Sequence, residues 1–326
     1  MESFLFAVNA VAPIVLLVAI GYGVKRVGLI NETIARNLNK LVFRIFLPCT
    51  LFLNVYKIEN IAAIDLGYVY FALGTTLTLF FCAVPVVMAA IKENRQRGVV
   101  IQGIFRSNFA LVGIPLASSL YGEEGSIIAT VLSAFIVPLY NVLAVTCLSM
   151  FCGGGKVSVK KVLVGILKNP FIQSIALGFV SLGIRALFVR FDIGLRLTDI
   201  RPIYTVLEQL GATATPVALL ALGAQFEISA VPHLKKVIFF GVGIRTFVVP
   251  AVALTVAYFM GCFSGAHFAA FVALFCTPIA VSSVPMAQEM GADSELAGQL
   301  VVWTTLISTL SVFLAALLLK AGGVFV

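Results

Sequence analysis

The sequence predicts an all-α membrane protein, with ten transmembrane helices in two inverted five-helix repeats and helices 4 and 9 broken. Three observations carry that prediction: the composition, the lengths of the uncharged runs and an internal repeat. Of 326 residues, 61% are hydrophobic and only 11% are charged, and the mean hydropathy is +1.10. Water-soluble domains carry roughly 25% charged residues, so a soluble fold is excluded. Phe4–Val24, Leu66–Ile91, Gly125–Phe151 and Leu296–Leu319 contain no Asp, Glu, Lys or Arg. A helix of about 20 mostly apolar residues crosses a bilayer, and inside lipid its backbone groups must pair within the segment. The alternating pattern of a membrane β-barrel is missing, which leaves a helical bundle.

Charge clusters and Gly/Pro breaks place the ten spans in order. The first, 4–24, ends at Lys25-Arg26; because no basic residue precedes it, it is expected to stay as a span and not be cleaved as a signal peptide. Next come 38–56, then 66–91 ending at Lys92, 98–122 ending at Glu123-Glu124, and 125–151 ending at the Gly153 run. The second set is 167–187, 202–226, 236–259, 266–290 and 295–319. Lys and Arg gather in alternate turns: Lys25 to Arg44, Lys92 to Arg97, Lys156 to Lys168, and Lys235-Lys236. The intervening turns hold few cations, except the sixth, with Arg185, Arg190, Arg196 and Arg201. The positive-inside rule therefore predicts a multi-pass protein of the cell (inner) membrane with both termini outside the cytoplasm. The six cysteines lack metal-ligand spacing, and no metal or cofactor is expected. The net charge of +8 is read as membrane orientation, with the lipid bilayer and not nucleic acid as the partner.

The repeat is the most informative feature. Pro13, Ala19, Gly21 and Tyr22 match Pro170, Ala176, Gly178 and Phe179, and later Gly113-Ile-Pro115-Leu-Ala117 matches Ser283-Val-Pro285-Met-Ala287. This divides the chain into a first five-helix repeat at 1–151, a short cytoplasmic linker at 152–166 and a second repeat at 167–326. An odd number of spans per unit forces the halves to insert with opposite topology, a recurring architecture of secondary transporters.

Spans 4 and 9 both carry helix breakers at mid-span: Arg106-Ser107-Asn108 followed by Gly113-Ile114-Pro115, and Thr277-Pro278 followed by Ser282-Ser283 and Pro285. Proline lacks an amide hydrogen and glycine permits unwinding. Irregular backbone survives at membrane depth only when buried in protein or lining a wet cavity. Pro115 and Pro285 suit the first turn of a restarted helix, whose free N–H groups favour a carboxylate. Ser107, Asn108, Thr277, Ser282 and Ser283 add donors without fixed charge. Arg106 has three open roles: attracting an anion, stabilising the break, or snorkelling to the cytoplasmic face. Arg245 poses the same question with snorkelling favoured, and Glu208 reads as a solvated carboxylate or an ion carrier. Asn54, Asn141 and Gln173 suit interhelical hydrogen bonds, and Gln225 a helix cap.

The run Ser107-Asn-Phe-Ala-Leu-Val-Gly-Ile-Pro-Leu116 resembles the fourth-helix motif of the auxin efflux carrier family. That family includes the plant PIN-FORMED carriers and bacterial malate or malonate carriers. Asn169-Pro170 and the Ala-Leu-Gly-Ala-Gln-Phe run at 221–226 also look like bacterial members. The resemblance implies that helices 4 and 9 cross at their breaks and that a transport domain moves, elevator-like, against a scaffold of helices 1, 2, 6 and 7. It also implies a homodimer and a crossover asparagine, here Asn108, that binds the substrate carboxylate. The long central loop of the plant carriers is absent, so regulation through it is not expected.

A secondary active or potential-driven transporter of small organic anions (malate, malonate or auxin-like acids) is therefore expected, with coupling to H⁺, Na⁺ or neither left open. A membrane receptor or channel for a small anion is the alternative. The sequence has no phosphate-binding loop, no HExxH and no paired nucleophile and base, so an enzyme is not expected.

Overall fold

A computed structural model describes residues 2–57, 66–152, 164, 167–226 and 231–325, with side chains from residue 12. Apart from Cys152 and Val164, the 152–166 linker read from the sequence, with Lys156, Lys160 and Lys161, lies outside those residues, as do Glu59 and Asp65. All regular elements among the described residues are helical. Among the described residues, seven stretches are long and apolar enough to cross a membrane: Glu32–Tyr56, Gly67–Ala90, Phe109–Cys152, Pro170–Arg190, Arg201–Gln225, Val231–Met260 and Ser294–Ala321.

Helix α1 (Glu2–Arg26) precedes α2 (Glu32–Leu41), which Asn31 opens by accepting the Ile34 N–H at 2.8 Å. α2 passes through a π turn at Val42–Phe46 into α3 (Leu47–Tyr56). After α4 (Gly67–Ala90) and α5 (Asn94–Phe105), the chain breaks, restarts in a π turn at Phe109–Gly113 and continues as α6 (Ile114–Cys152). α6 bends sharply where Gly122 takes φ +62°, ψ −149°, a backbone region essentially confined to glycine. That bend falls at the predicted boundary between spans 4 and 5.

The second half opens with α7 (Pro170–Arg190), capped by Asn169 with Pro170 as first residue, and α8 (Arg201–Gln225). α9 (Val231–Gly243) runs through a π turn at Ile244–Val248 into α10 (Val249–Met260). α11 (Gly265–Phe275) and α12 (Ser283–Glu289) flank a second break, and α13 (Ser294–Ala321) follows. Each of the three π turns among the described residues is followed two residues later by a proline: Pro48, Pro115 and Pro250. A proline ring clashes with the carbonyl four residues back, and the wider π turn relieves that clash.

Glycines set two of the closest helix crossings. A Cβ on Gly21 of α1 would lie 2.2 Å from the Leu220 carbonyl of α8, and one on Gly223 would lie 2.0 Å from the Val18 carbonyl. On Gly178 of α7 it would meet Val55 Cβ of α3 at 2.8 Å and the Phe52 carbonyl at 3.1 Å. Small residues at such positions let membrane helices approach closely. α11, by contrast, is buried on nearly every face and wrapped by α6. A helix apolar all round belongs at the centre of a bundle, yet its 11 residues are too few to span. It is half of an interrupted segment.

Candidate functional site

The two breaks meet. Arg106 leaves the helical region at φ −94°, ψ 114°, and Ser107 pairs with Ile279 in an antiparallel bridge. The Asn108 N–H donates to the Pro278 carbonyl at 2.8 Å, and the Ile279 N–H donates to Thr304 Oγ1 of α13 at 3.1 Å. Backbone freed by each interruption is thus satisfied by the other and by a neighbouring helix, as burial away from water requires.

A correction concerns where the first helix restarts. Pro115 was expected in its first turn, but the helical path resumes at Phe109 with Asn108 as N-cap. The π turn absorbs Pro115 further along, so the free amides belong to Phe109, Ala110 and Leu111. Pro285 sits as anticipated, the third residue of α12.

Beside the crossing lies a cavity of about 110 Å³. Its lining includes Arg106, Ser107, Asn108 and Ser282 from the breaks, and Thr50, Asn54 and Ala218 from α3 and α8. Arg106 is buried and donates to Asn141 Oδ1 and to Ser282 Oγ, each at 2.8 Å, and to the Met286 thioether. These partners are neutral, and among the described residues no carboxylate pairs with Arg106 or lines the cavity. Asn108 occupies a cap position without capping: its side chain makes no bond to the helix, and its buried Nδ2 has no partner. An unpaired buried amide donor costs about 1–3 kcal/mol. Arg106, Ser107, Asn108 and Ser282 thus share one cavity, and no carboxylate among the described residues lines it with them.

The sequence profile of the family described as "Membrane transport protein" matches residues 6–315. This chain belongs to that family, the one whose auxin efflux carriers the run at 107–116 resembles. An uncharacterized transporter of Methanothermobacter thermautotrophicus is 22% identical over 310 residues, 94% of this chain and 97% of that protein. An uncharacterized transporter of Methanocaldococcus jannaschii is 26% identical over 264 residues, 76% of this chain and 78% of that one. A Rhizobium meliloti protein named "Putative malonate transporter" is 22% identical over 294 residues, covering 88% and 87%.

In this membrane transport protein the other expected site residues support the crossing without lining the cavity. Thr277 Oγ1 donates back to Ala273, and the Pro278 carbonyl receives Asn108. A Cβ on Gly113 would meet the Phe109 ring at 2.6 Å and the Ala273 carbonyl at 3.0 Å, so Gly113 lets α6 seat against α11. Ile114 starts α6, and Ser283, buried with an unpartnered Oγ, starts α12.

A second, larger cavity of about 440 Å³ opens among Lys25, Arg36, Arg95, Glu32 and Glu295. Asn39, Gln225 and Gln288 form an amide cluster at its edge, with Asn39 Nδ2 donating to Gln225 Oε1 at 3.0 Å and to Gln288 Oε1 at 3.1 Å. Gln225, read as a helix cap, instead ties α8 to α2 and α12. Glu208 pairs with Lys57 at 2.9 Å, half exposed. Burial works against the Lys57 ammonium, but hydrogen bonds to Glu208 and Tyr204 outweigh it and raise its pKa.

Arg245 was the residue misread. It is completely buried, not snorkelling, and it donates to carbonyls at both breaks. Backbone carbonyls have no signature in a sequence, so only their positions could reveal the role.

Proposed function

We propose that this protein is a secondary transporter of small organic anions, carboxylates above all, bound at the crossing of the two interrupted segments. Arg106 carries the reading. A buried guanidinium against neutral partners leaves a positive charge that an anionic ligand would compensate, and an uncompensated buried charge is strongly unfavourable. Asn108 Nδ2 and the free amides of Phe109, Ala110 and Leu111 supply donors beside it, at a helix N-terminus that favours anions. The size of the cavity, about 110 Å³, is well below the roughly 300 Å³ and above of drug-sized ligand pockets. A three- or four-carbon acid suits it better than a two-ring indole acid, in keeping with the malonate in one relative's name.

Transport follows an inverted-repeat, elevator scheme in this reading. Gly21 and Gly178, matched in the sequence repeat, make matching crossings, α1 on α8 and α7 on α3. These helices are the scaffold, and the broken segments with α4, α6, α9, α10 and α13 move against it. In the same reading the basic cavity is the cytoplasmic vestibule, both termini lie outside and the working unit is a homodimer. An inside-negative potential drives an anion outward with about 2.3 kcal/mol per charge per 100 mV, so export needs no coupling ion.

Counterflow of labelled malonate and malate in proteoliposomes tests the reading. Saturable carboxylate exchange is expected, and at least a tenfold loss with Asn108→Ala, a variant that removes no cap bond and should fold. Exchange of sugars or organic cations in place of carboxylates would overturn it, and flux that never saturates would favour a channel.

A further inference from the structure

The two buried arginines at the crossing stand in opposite electrostatic settings. Arg106 has neutral side chains around it, whereas Arg245 faces the carbonyl ends of two helices. Its Nη1 donates to the Ile104 carbonyl in the last turn of α5, at 3.2 Å. Nη2 donates to the Leu274 carbonyl in the last turn of α11 at 3.1 Å, and to the Thr277 carbonyl beyond it at 2.8 Å. Nε also donates to the Thr277 carbonyl, at 3.2 Å. Each helix C-terminus carries roughly half a negative charge. Two such ends sum to about one charge, which a single guanidinium offsets. That balance explains how Arg245 lies fully buried with no carboxylate partner among the described residues.

In carriers built from discontinuous helices, unwound carbonyls and half-helix C-terminal ends are where coupling cations bind. Here the protein's own side chain fills that cradle. We propose that Arg245 is a resident cation: it occupies a cation site formed by the C-terminal ends of both interrupted helices and thereby positions the crossing that carries Asn108. Arg245 comes from the π turn at Ile244–Val248, so α9 and α10 are locked to both breaks through one side chain. An exchangeable metal ion is then not needed to hold the crossing, and deleting the side chain should create a site for an external cation. This stands apart from the identity of the substrate.

The test is thermal unfolding of the detergent-solubilised full chain, with no substrate present. The wild type should unfold at the same temperature in KCl, NaCl or ethylguanidinium chloride of equal ionic strength. Arg245→Ala should unfold about 5–10 °C lower, and millimolar ethylguanidinium should restore at least half of that loss, more than ethylammonium or K⁺ does. Equal response of variant and wild type to ethylguanidinium would overturn the proposal. Where Arg245→Ala yields no folded protein, Arg245→Lys and Arg245→Met decide. The charged Lys variant should unfold above the similarly sized neutral Met variant, and a Met variant as stable as Lys would overturn it.

Discussion

Arg106 and Arg245 show that the same residue type, buried in the same region, does different work according to which end of a helix it meets. Arg245 sits where helices end and carbonyls point, and its charge is neutralised there. Arg106 closes α5 as its C-cap, but its side chain turns to Ser282 at the start of α12 and lies beside the amides of Phe109 to Leu111, which add positive potential to its own. Arg106→Gln should therefore leave the fold within a few degrees of the wild-type unfolding temperature. Loss of one charged hydrogen bond to the substrate, about 1.5–3 kcal/mol, should lower its affinity by roughly 10- to 150-fold. Substrate-dependent thermal shifts measure both quantities on one sample. The position of Asn108 at the first break was legible in the sequence because the Ser-Asn-Phe-Ala-Leu-Val-Gly-Ile-Pro run is specific. The role of Arg245 was not: a lone cation in an apolar stretch reads first as a side chain reaching for water.

Between residues and the whole molecule, the decisive devices are breaks, bends and close crossings. Proline and glycine announced both interruptions, but the point at which the first helix resumes was misplaced. Pro115 marked a local conflict with Leu111, which a π turn resolves without ending the helix. The crossings offer a sharper check. Gly21→Ala would set a methyl group 2.2 Å from the Leu220 carbonyl, an overlap relieved only by moving backbone. A loss of about 1–3 kcal/mol is expected for such overpacking. Gly23, two residues on, has open space around it, so Gly23→Ala should unfold like the wild type. Thermal unfolding of the pair in one detergent makes the comparison. The matched Pro13/Gly21 and Pro170/Gly178 pattern was visible in the sequence, although the partners of those glycines, Leu220 and Phe52, were not.

For the molecule as a whole, hydropathy located the helical stretches because a bilayer leaves backbone groups no partners outside the chain. The way those stretches pack was much less legible. The sequence marks α11 as the first half of broken span 9, but its place at the centre, wrapped by α6, depends on contacts far apart in sequence. The proposed orientation makes an expected outcome here. Cys262, exposed in the turn after α10, lies at the opposite end of its helices from Lys235 and Lys236. A membrane-impermeant maleimide added to intact cells should label Cys262, and a Cys262→Ser variant should lose that labelling. Labelling seen only after the cells are opened would reverse the assigned topology.

The bond from the Asn108 amide to the Pro278 carbonyl also bears on how the protein is made. A ribosome releases the first interruption into the membrane well before the second has been synthesised. Throughout that interval the nascent chain holds a stretch of bare peptide at bilayer depth whose mate does not yet exist. The insertion machinery, or water drawn in beside it, must shelter that stretch. Closure of the two interruptions on each other is then a late event in biogenesis, because Pro278 follows Asn108 by about half the length of the chain.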